Sequence, residues 1–320
     1  MLIDFKEITK FNFQSVIFNL TTLIFVLFLS SCTYKHTNDL TEDVNFTHFL
    51  KAGKSQIVFT DWAGPKLKIW IYRPIEVSEN TPIVFVMHGT KRDGERYRDE
   101  WSKFAKAENF ILIVPEFPRS DFPRANGYNL GNVVKGENGD LIPREQWAFS
   151  AIEPIFDKIK KMTENKTATY SMYGHSAGAQ FVHRFVYFVP NARLTHAVAA
   201  NAGWYTMPDL SVDFPYGLKG SGLSKEALNE ALSSKLLVLL GTADTNPNHR
   251  TLRVTPEANA QGAHRYARGH SFVLAGKHRA KINQVPFNWS ISYAPRIGHK
   301  NGQMASFASS FLTQDKTGNR

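Results

Sequence analysis

Residues 168–189 read ATYSMYGHSAGAQFVHRFVYFV, and this stretch decides the fold. Ala168–Tyr173 has the composition of a buried strand, and Ala179–Val189 carries apolar residues at helical spacing. Between them lies Gly174-His175-Ser176-Ala177-Gly178, a G-x-S-x-G turn in the strand–turn–helix setting that this motif requires. A strand that turns so sharply into a helix holds its serine in a strained conformation with the hydroxyl exposed. Gly174 and Gly178 remove side chains that would collide with neighbouring backbone. The helix starts beneath Ser176, so the Ala177 amide points toward an oxygen reacting there. Ser176 is therefore the candidate nucleophile and Ala177 a candidate oxyanion donor.

A serine hydroxyl needs a base, and the base needs an acid partner. In this type of turn the chain order is serine, acid, histidine. Lys235–Gly241 (KLLVLLG) reads as a strand and delivers Asp244 just past its end. The stretch SISYAPRIG at 290–298 delivers His299 between the last strand and the last helix. Asp244 and His299 are the acid and base expected from that order, with Asp209 and Asp213 as alternative acids. A second oxyanion donor is expected after PIVFVM (82–87), where Met87-His88-Gly89-Thr90 follows. Gly89 lets the chain approach a substrate, and the amide of Thr90 (or Lys91) is the candidate. His88 is expected to brace that loop by hydrogen bonding, and His183 to be packed or on the surface.

Outward from the serine, apolar strands alternate with amphipathic helices. Strands are predicted at Leu67–Tyr72, Pro82–Met87, Phe110–Val114, Ala168–Tyr173, Ala197–Ala200, Lys235–Leu240 and Trp289–Ala294. Helices are predicted at Gly94–Asn109, Trp147–Lys161, Ala179–Val189 and Gln303–Phe311. Apolar strands separated by helices imply an α/β fold, with a mainly parallel central sheet covered on both faces. Three insertions, Pro115–Gln146, Asn201–Ser234 and Ala243–Pro286, are long enough to build a lid. Their aromatics, among them Phe117, Phe122, Tyr128, Trp204 and Tyr216, either line a pocket or pack onto the core. The basic stretch His249–Lys281 reads as a solvated basic helix and hairpin, or as a holder of an anionic group.

The 320 residues are 42% apolar and 13% aromatic, a globular composition that excludes a disordered chain. The net charge of +10 comes without a nucleic-acid-binding motif, so no nucleic-acid partner is expected. One cysteine excludes a disulfide framework and a cysteine-rich zinc site. Ala52-Gly53-Lys54-Ser55 lacks the upstream glycine of a phosphate loop, because position 48 is His.

That cysteine is Cys32, and it follows an apolar run, Val16–Leu29, then Ser30 and Ser31. The run is short for a membrane span and suits a signal-peptide core. Leu29-Ser30-Ser31-Cys32 resembles a bacterial lipobox, in which the cysteine is lipidated and becomes the mature N-terminus. The expected organisation is a lipoprotein-type signal peptide at 1–31, a polar tether at 32–55, a catalytic domain at 56–315 and a flexible tail at 316–320. The protein is then exported and membrane-anchored, facing the periplasm or cell surface. An uncleaved anchor helix or a plain secretory signal is the alternative, since Asp4 and Glu7 offset Lys6 and Lys10.

With these residues in place, the chain resembles the α/β-hydrolase superfamily, and within it secreted esterases related to polyhydroxybutyrate depolymerases and feruloyl esterases. The resemblance covers about residues 56–315. It is carried by His88-Gly89-Thr90, by GHSAG, by Gly241-Thr242-Ala243-Asp244 and by Gly298-His299. GYNLGN (127–132), AFSAIEP (148–154) and AANAGWYT (199–206) also look like members of that group. The resemblance implies hydrolysis of carboxylic esters through an acyl-enzyme, without metal or organic cofactor. Secreted depolymerases of this type often carry disulfides and a separate substrate-binding domain, and this chain has neither. A small-molecule or oligomeric ester is the expected substrate. A peptidase, acyltransferase or perhydrolase on the same residues, or a membrane-tethered binding lipoprotein without activity, are the rival readings.

Overall fold

In the computed structural model, which describes residues 50–135 and 139–314, the unbroken apolar strands become the interior of one sheet. The expected signal peptide, Cys32, most of the tether and the tail at 316–320 lie outside the described residues. The strands are β1 (Gly53–Phe59), β2 (Leu67–Arg73), β3 (Ile83–Met87), β4 (Ile111–Glu116), β5 (Tyr170–His175), β6 (Leu194–Ala200), β7 (Leu236–Gly241) and β8 (Trp289–Ala294). They pair in the order β1-β2-β4-β3-β5-β6-β7-β8. Every pair from β4 to β8 is parallel, while β2 runs antiparallel to both β4 and β1. Strands β3, β5 and β7 are buried at every residue, as strands covered on two faces must be. β1 instead alternates half-buried and exposed residues, the pattern of an edge, and it starts inside the stretch expected to be tether.

Period two splits β3 between two cores. Val84 and Val86 face Trp101 of α1 (Gly94–Glu108) and Met304 of α7 (Asn301–Leu312). Ile83, Phe85 and Met87 belong to the opposite core, with Ile155 of α2 (Ile152–Thr163), Phe181 of α3 (Ala177–Phe188) and Phe272 of α6 (Arg265–Asn283). The remaining helices are α4 (Lys225–Ser233) and α5 (Pro256–Ala260). α3, the helix behind the serine, is buried at every residue. The helix expected from Trp147 begins only at Ile152, after 3₁₀ turns at Arg144–Gln146 and Ala148–Ala151. Pro154 accounts for the late start: it has no N–H and clashes with a preceding turn, so it fits only in a first turn.

The insertions pack more than they cover. Phe117, Phe122, Tyr128 and Trp204 are buried in the core. The third insertion is not a solvated helix and hairpin. It folds as α5 and α6, and Arg265 and Arg268 at the start of α6 are buried (1% and 0% exposed).

Candidate active site

β5 ends at His175 and α3 begins at Ala177, so Ser176 is the one residue between them. Its φ of 60° lies in the left-handed region, which a serine occupies only under constraint from its surroundings. Those surroundings are visible. The Ser176 amide donates to the Ala200 carbonyl of β6 at 3.0 Å. A methyl group on Gly178 would collide with the Met87 carbonyl oxygen at the end of β3. The start of α3 is thereby pressed against the loop that leaves β3.

The structure brings Ser176, Asp244 and His299 together. His299 Nδ1 lies 2.7 Å from Oδ2 of Asp244, and His299 Nε2 lies 3.0 Å from the Ser176 hydroxyl. A carboxylate only accepts, so Nδ1 carries the proton and Nε2 is the acceptor for the Ser176 O–H. The loops that carry the acid and the histidine are stitched to each other. Thr242 N–H donates to Ala294 at 3.1 Å, and Ala243 N–H to Ile297 at 3.0 Å. Asn201 reaches across both: its Oδ1 accepts from Gly241 N–H at 2.8 Å and its Nδ2 donates to the Gly298 carbonyl at 3.2 Å. The alternative acids are engaged elsewhere. Asp209 pairs with Arg279 at 3.2 Å and Asp213 with Lys219 at 3.1 Å. Asp209→Ala is accordingly expected to leave hydrolytic turnover within about twofold of wild type in a steady-state assay, whereas Asp244→Ala is expected to remove most of it.

The Gly89–Thr90 loop stands beside Ser176, since a Cβ on Gly89 would lie 3.8 Å from the Ser176 Cβ. His88 braces this loop. Its Nε2 accepts from the Phe117 N–H at 3.0 Å, which leaves the proton on Nδ1, 3.2 Å from the Gly89 carbonyl. Burial and the Arg92 charge push the His88 imidazole down to about 3, so it stays neutral. Tyr128 donates to the His88 carbonyl at 2.8 Å, and Arg119 donates to the Thr90 carbonyl at 2.6 Å. These bonds brace the backbone from His88 to Thr90.

Two further histidines flank His299. The His175 ring lies 4.5 Å from it, centre to centre, and is held well below its ordinary pKa by burial, then by the neighbouring His299 and Arg265. The His249 ring lies 5.3 Å away on the cleft side. Asp244 is shared as well, because Arg265 donates from Nη1 to its other oxygen at 3.3 Å. Arg265, His249 and Asn201 were not singled out by sequence reasoning. Asn201 sits directly after a strand end, a signal of position that sequence carries. Arg265 gives no such signal, since one buried arginine is indistinguishable in sequence from its exposed neighbours.

Ser176 and His299 open into a cleft of about 800 Å³. Among the described residues of the three insertions, only those of the last reach it, through His249, Arg250 and Thr251. Lys91, Lys103, Arg250 and Lys300 also line it, and among the described residues none of the four meets a carboxylate at ion-pair distance. Arg96, by contrast, is paired with Asp93 and Glu100.

A mostly parallel eight-stranded sheet with a nucleophile-elbow serine, an acid after β7 and a histidine after β8 defines an α/β hydrolase. No protein-family model and no curated protein matches the chain. Among solved structures, it is similar to poly(aspartic acid) hydrolase-1 from Sphingomonas sp. KT-1, at 47% identity and a TM-score of 0.81, over 82% of this chain and 99% of that one. It is similar also to LpqC, a poly(3-hydroxybutyrate) depolymerase from Bordetella parapertussis, at 30% identity and a TM-score of 0.80, over 88% of this chain and 97% of the other. An S-formylglutathione hydrolase from Agrobacterium tumefaciens shares the fold, at 17% identity and a TM-score of 0.53 over 83% of this chain and 95% of its own. The chain belongs to the α/β-hydrolase superfamily of serine hydrolases, and it is an enzyme with hydrolase activity.

Proposed function

We propose that the protein is a serine hydrolase that cleaves carboxylic esters through an acyl-enzyme, with Ser176 as nucleophile, His299 as base and Asp244 as the acid that orients it. The observation that carries this reading is the continuous chain of bonds from Ser176 through His299 to Asp244, at 3.0 and 2.7 Å. As the Ser176 oxygen bonds to the ester carbonyl carbon, His299 Nε2 takes the hydroxyl proton, and Asp244 stabilises the imidazolium. The amides of Ala177 and Thr90 hold the oxyanion, each worth about 3 kcal/mol in the transition state. Collapse breaks the bond to the leaving alkoxide, which receives the proton from His299. Water then gives a proton to His299 and attacks the acyl carbon, which releases the acid and restores Ser176.

The test is hydrolysis of p-nitrophenyl esters, from acetate to long chains, by residues 33–320 and by Ser176→Ala. Turnover by the wild type alone, at least about 10⁴-fold above the variant, is the expected result. Equal rates for the two proteins overturn it.

A second reading is amide cleavage within an acidic polymer, and the four cleft cations without a carboxylate partner among the described residues favour it together with the 47% identity to a poly(aspartic acid) hydrolase. Oligomer release from poly(aspartic acid), falling steeply with salt, would select it over ester cleavage. We propose also that the protein is exported and lipid-anchored through Cys32, the lone cysteine, at the lipobox-like Leu29-Ser30-Ser31-Cys32. Metabolic labelling with a radioactive fatty acid that is lost in Cys32→Ala is the corresponding check.

A further inference from the structure

His249 faces two groups that can only donate. Arg265 Nη2 approaches its Nδ1 at 3.3 Å, and the Thr251 backbone N–H approaches the same atom at 3.3 Å. Neither a guanidinium nor an amide N–H accepts, so Nδ1 must be the acceptor and the ring proton sits on Nε2. The Thr251 hydroxyl, 3.1 Å from Nδ1, completes the cradle, and the same hydroxyl accepts from Arg265 at 2.9 Å. Burial, then the charges of Arg265 and His299, hold the His249 imidazole below its ordinary pKa and favour the neutral ring. Its Nε2 bonds to no described residue, and the ring lines the cleft that holds Ser176. One guanidinium, buried to 1% exposure, thus grips Asp244 with one nitrogen and sets the tautomer of His249 with the other.

We infer that His249 is a specificity-determining residue that donates its Nε2–H to a carboxylate or carbonyl oxygen of the substrate beside the scissile bond, and that Arg265 is the positioning residue that holds it in the donating tautomer. The inference rests on the reading of Ser176 as nucleophile and deepens it: the enzyme prefers an acyl group that carries a second oxygen function. A neutral donor suits such a site. It selects for an acceptor by hydrogen bonding rather than by net charge, whereas the lysines of the rim attract any anion.

The experiment compares p-nitrophenyl hemisuccinate with p-nitrophenyl butyrate, which differ by a terminal carboxylate. Wild type, His249→Phe and His249→Gln are each first titrated with a fluorophosphonate, whose stoichiometric capture at Ser176 establishes a folded and reactive centre. Failure of the wild type to be labelled counts against the serine-hydrolase reading itself. With labelling in hand, His249→Phe keeps the ring and loses the donor. It is expected to lower the hemisuccinate-to-butyrate ratio of kcat/KM about tenfold, mainly through the KM for hemisuccinate. His249→Gln, whose amide restores an N–H at similar reach, is expected to recover at least half of that ratio on a logarithmic scale. A ratio unchanged in His249→Phe, or lowered equally in His249→Gln, overturns the inference, because the ring would then act by shape alone.

Discussion

His299→Ala is expected to lower kcat for ester hydrolysis by 10⁴-fold or more while the urea unfolding midpoint stays close to that of the wild type. The two halves of this expectation have separate causes. His299 is the acceptor for the Ser176 proton at 3.0 Å, and among the described residues the hydroxyl has no other side-chain base at hydrogen-bond distance. His175 cannot substitute, since it is buried and held well below its ordinary pKa beside His299. Stability is spared because His299 sits at the rim of the sheet, in a loop anchored by backbone bonds to Thr242 and Ala243 rather than by the imidazole. The residues of such a unit are not additive, so Ser176→Ala/His299→Ala is expected to be no slower than either single variant within about threefold. Rapid mixing and steady-state assays on the three proteins measure this. A double variant slower than both singles by the product of their effects would mean that Ser176 and His299 act independently, and the proposed mechanism would fall.

How much of this was legible in the sequence depends on which scale of interaction set each feature. The meeting of Ser176, Asp244 and His299 was legible because each follows a strand, and a parallel sheet delivers the ends of its strands to one edge. Period and chain order are enough to bring the three residues to the same sheet edge. β1 was missed because its half-buried alternation resembles a polar segment when no partner strand is known. The start of α2 shifted to Ile152 because Pro154 imposes a local rule on an otherwise helical period. The basic insertion was misjudged for a different reason. Whether an arginine is solvated or buried depends on acceptors distant in sequence. Arg268 finds the Gly203 carbonyl at 2.6 Å and Arg265 finds Asp244. Such pairings, across tens of residues, leave no local trace in charge or period.

The largest stability effect is expected at Gly178. A Cβ there would collide with the Met87 carbonyl oxygen and lie 2.9 Å from the His88 carbonyl oxygen, both rigid backbone atoms. No rotamer change relieves a backbone contact, so α3 or the end of β3 must move. In an exposed helix, Gly→Ala would stabilise by about 0.5–1 kcal/mol. Here overpacking of a buried junction is expected to exceed that and give a net loss of about 2–3 kcal/mol. Gly302→Ala is the contrast, since the atoms nearest its new Cβ would be Glu100 side-chain atoms at 3.5 Å, an ordinary contact; its stability is expected to stay within about 0.5 kcal/mol of wild type. Function should follow the same geometry. Movement of α3 away from β3 carries Ser176 away from His299 and the Ala177 amide away from the Gly89–Thr90 loop. A misplacement of about 1 Å costs on the order of 10²-fold in rate. Gly178→Ala should therefore lose activity even at temperatures where circular dichroism reports it fully folded. Urea melts and kcat/KM on both variants decide the matter. Full activity in a destabilised Gly178→Ala would show that the elbow repacks without displacing the serine, and that the contact with Met87 serves stability alone.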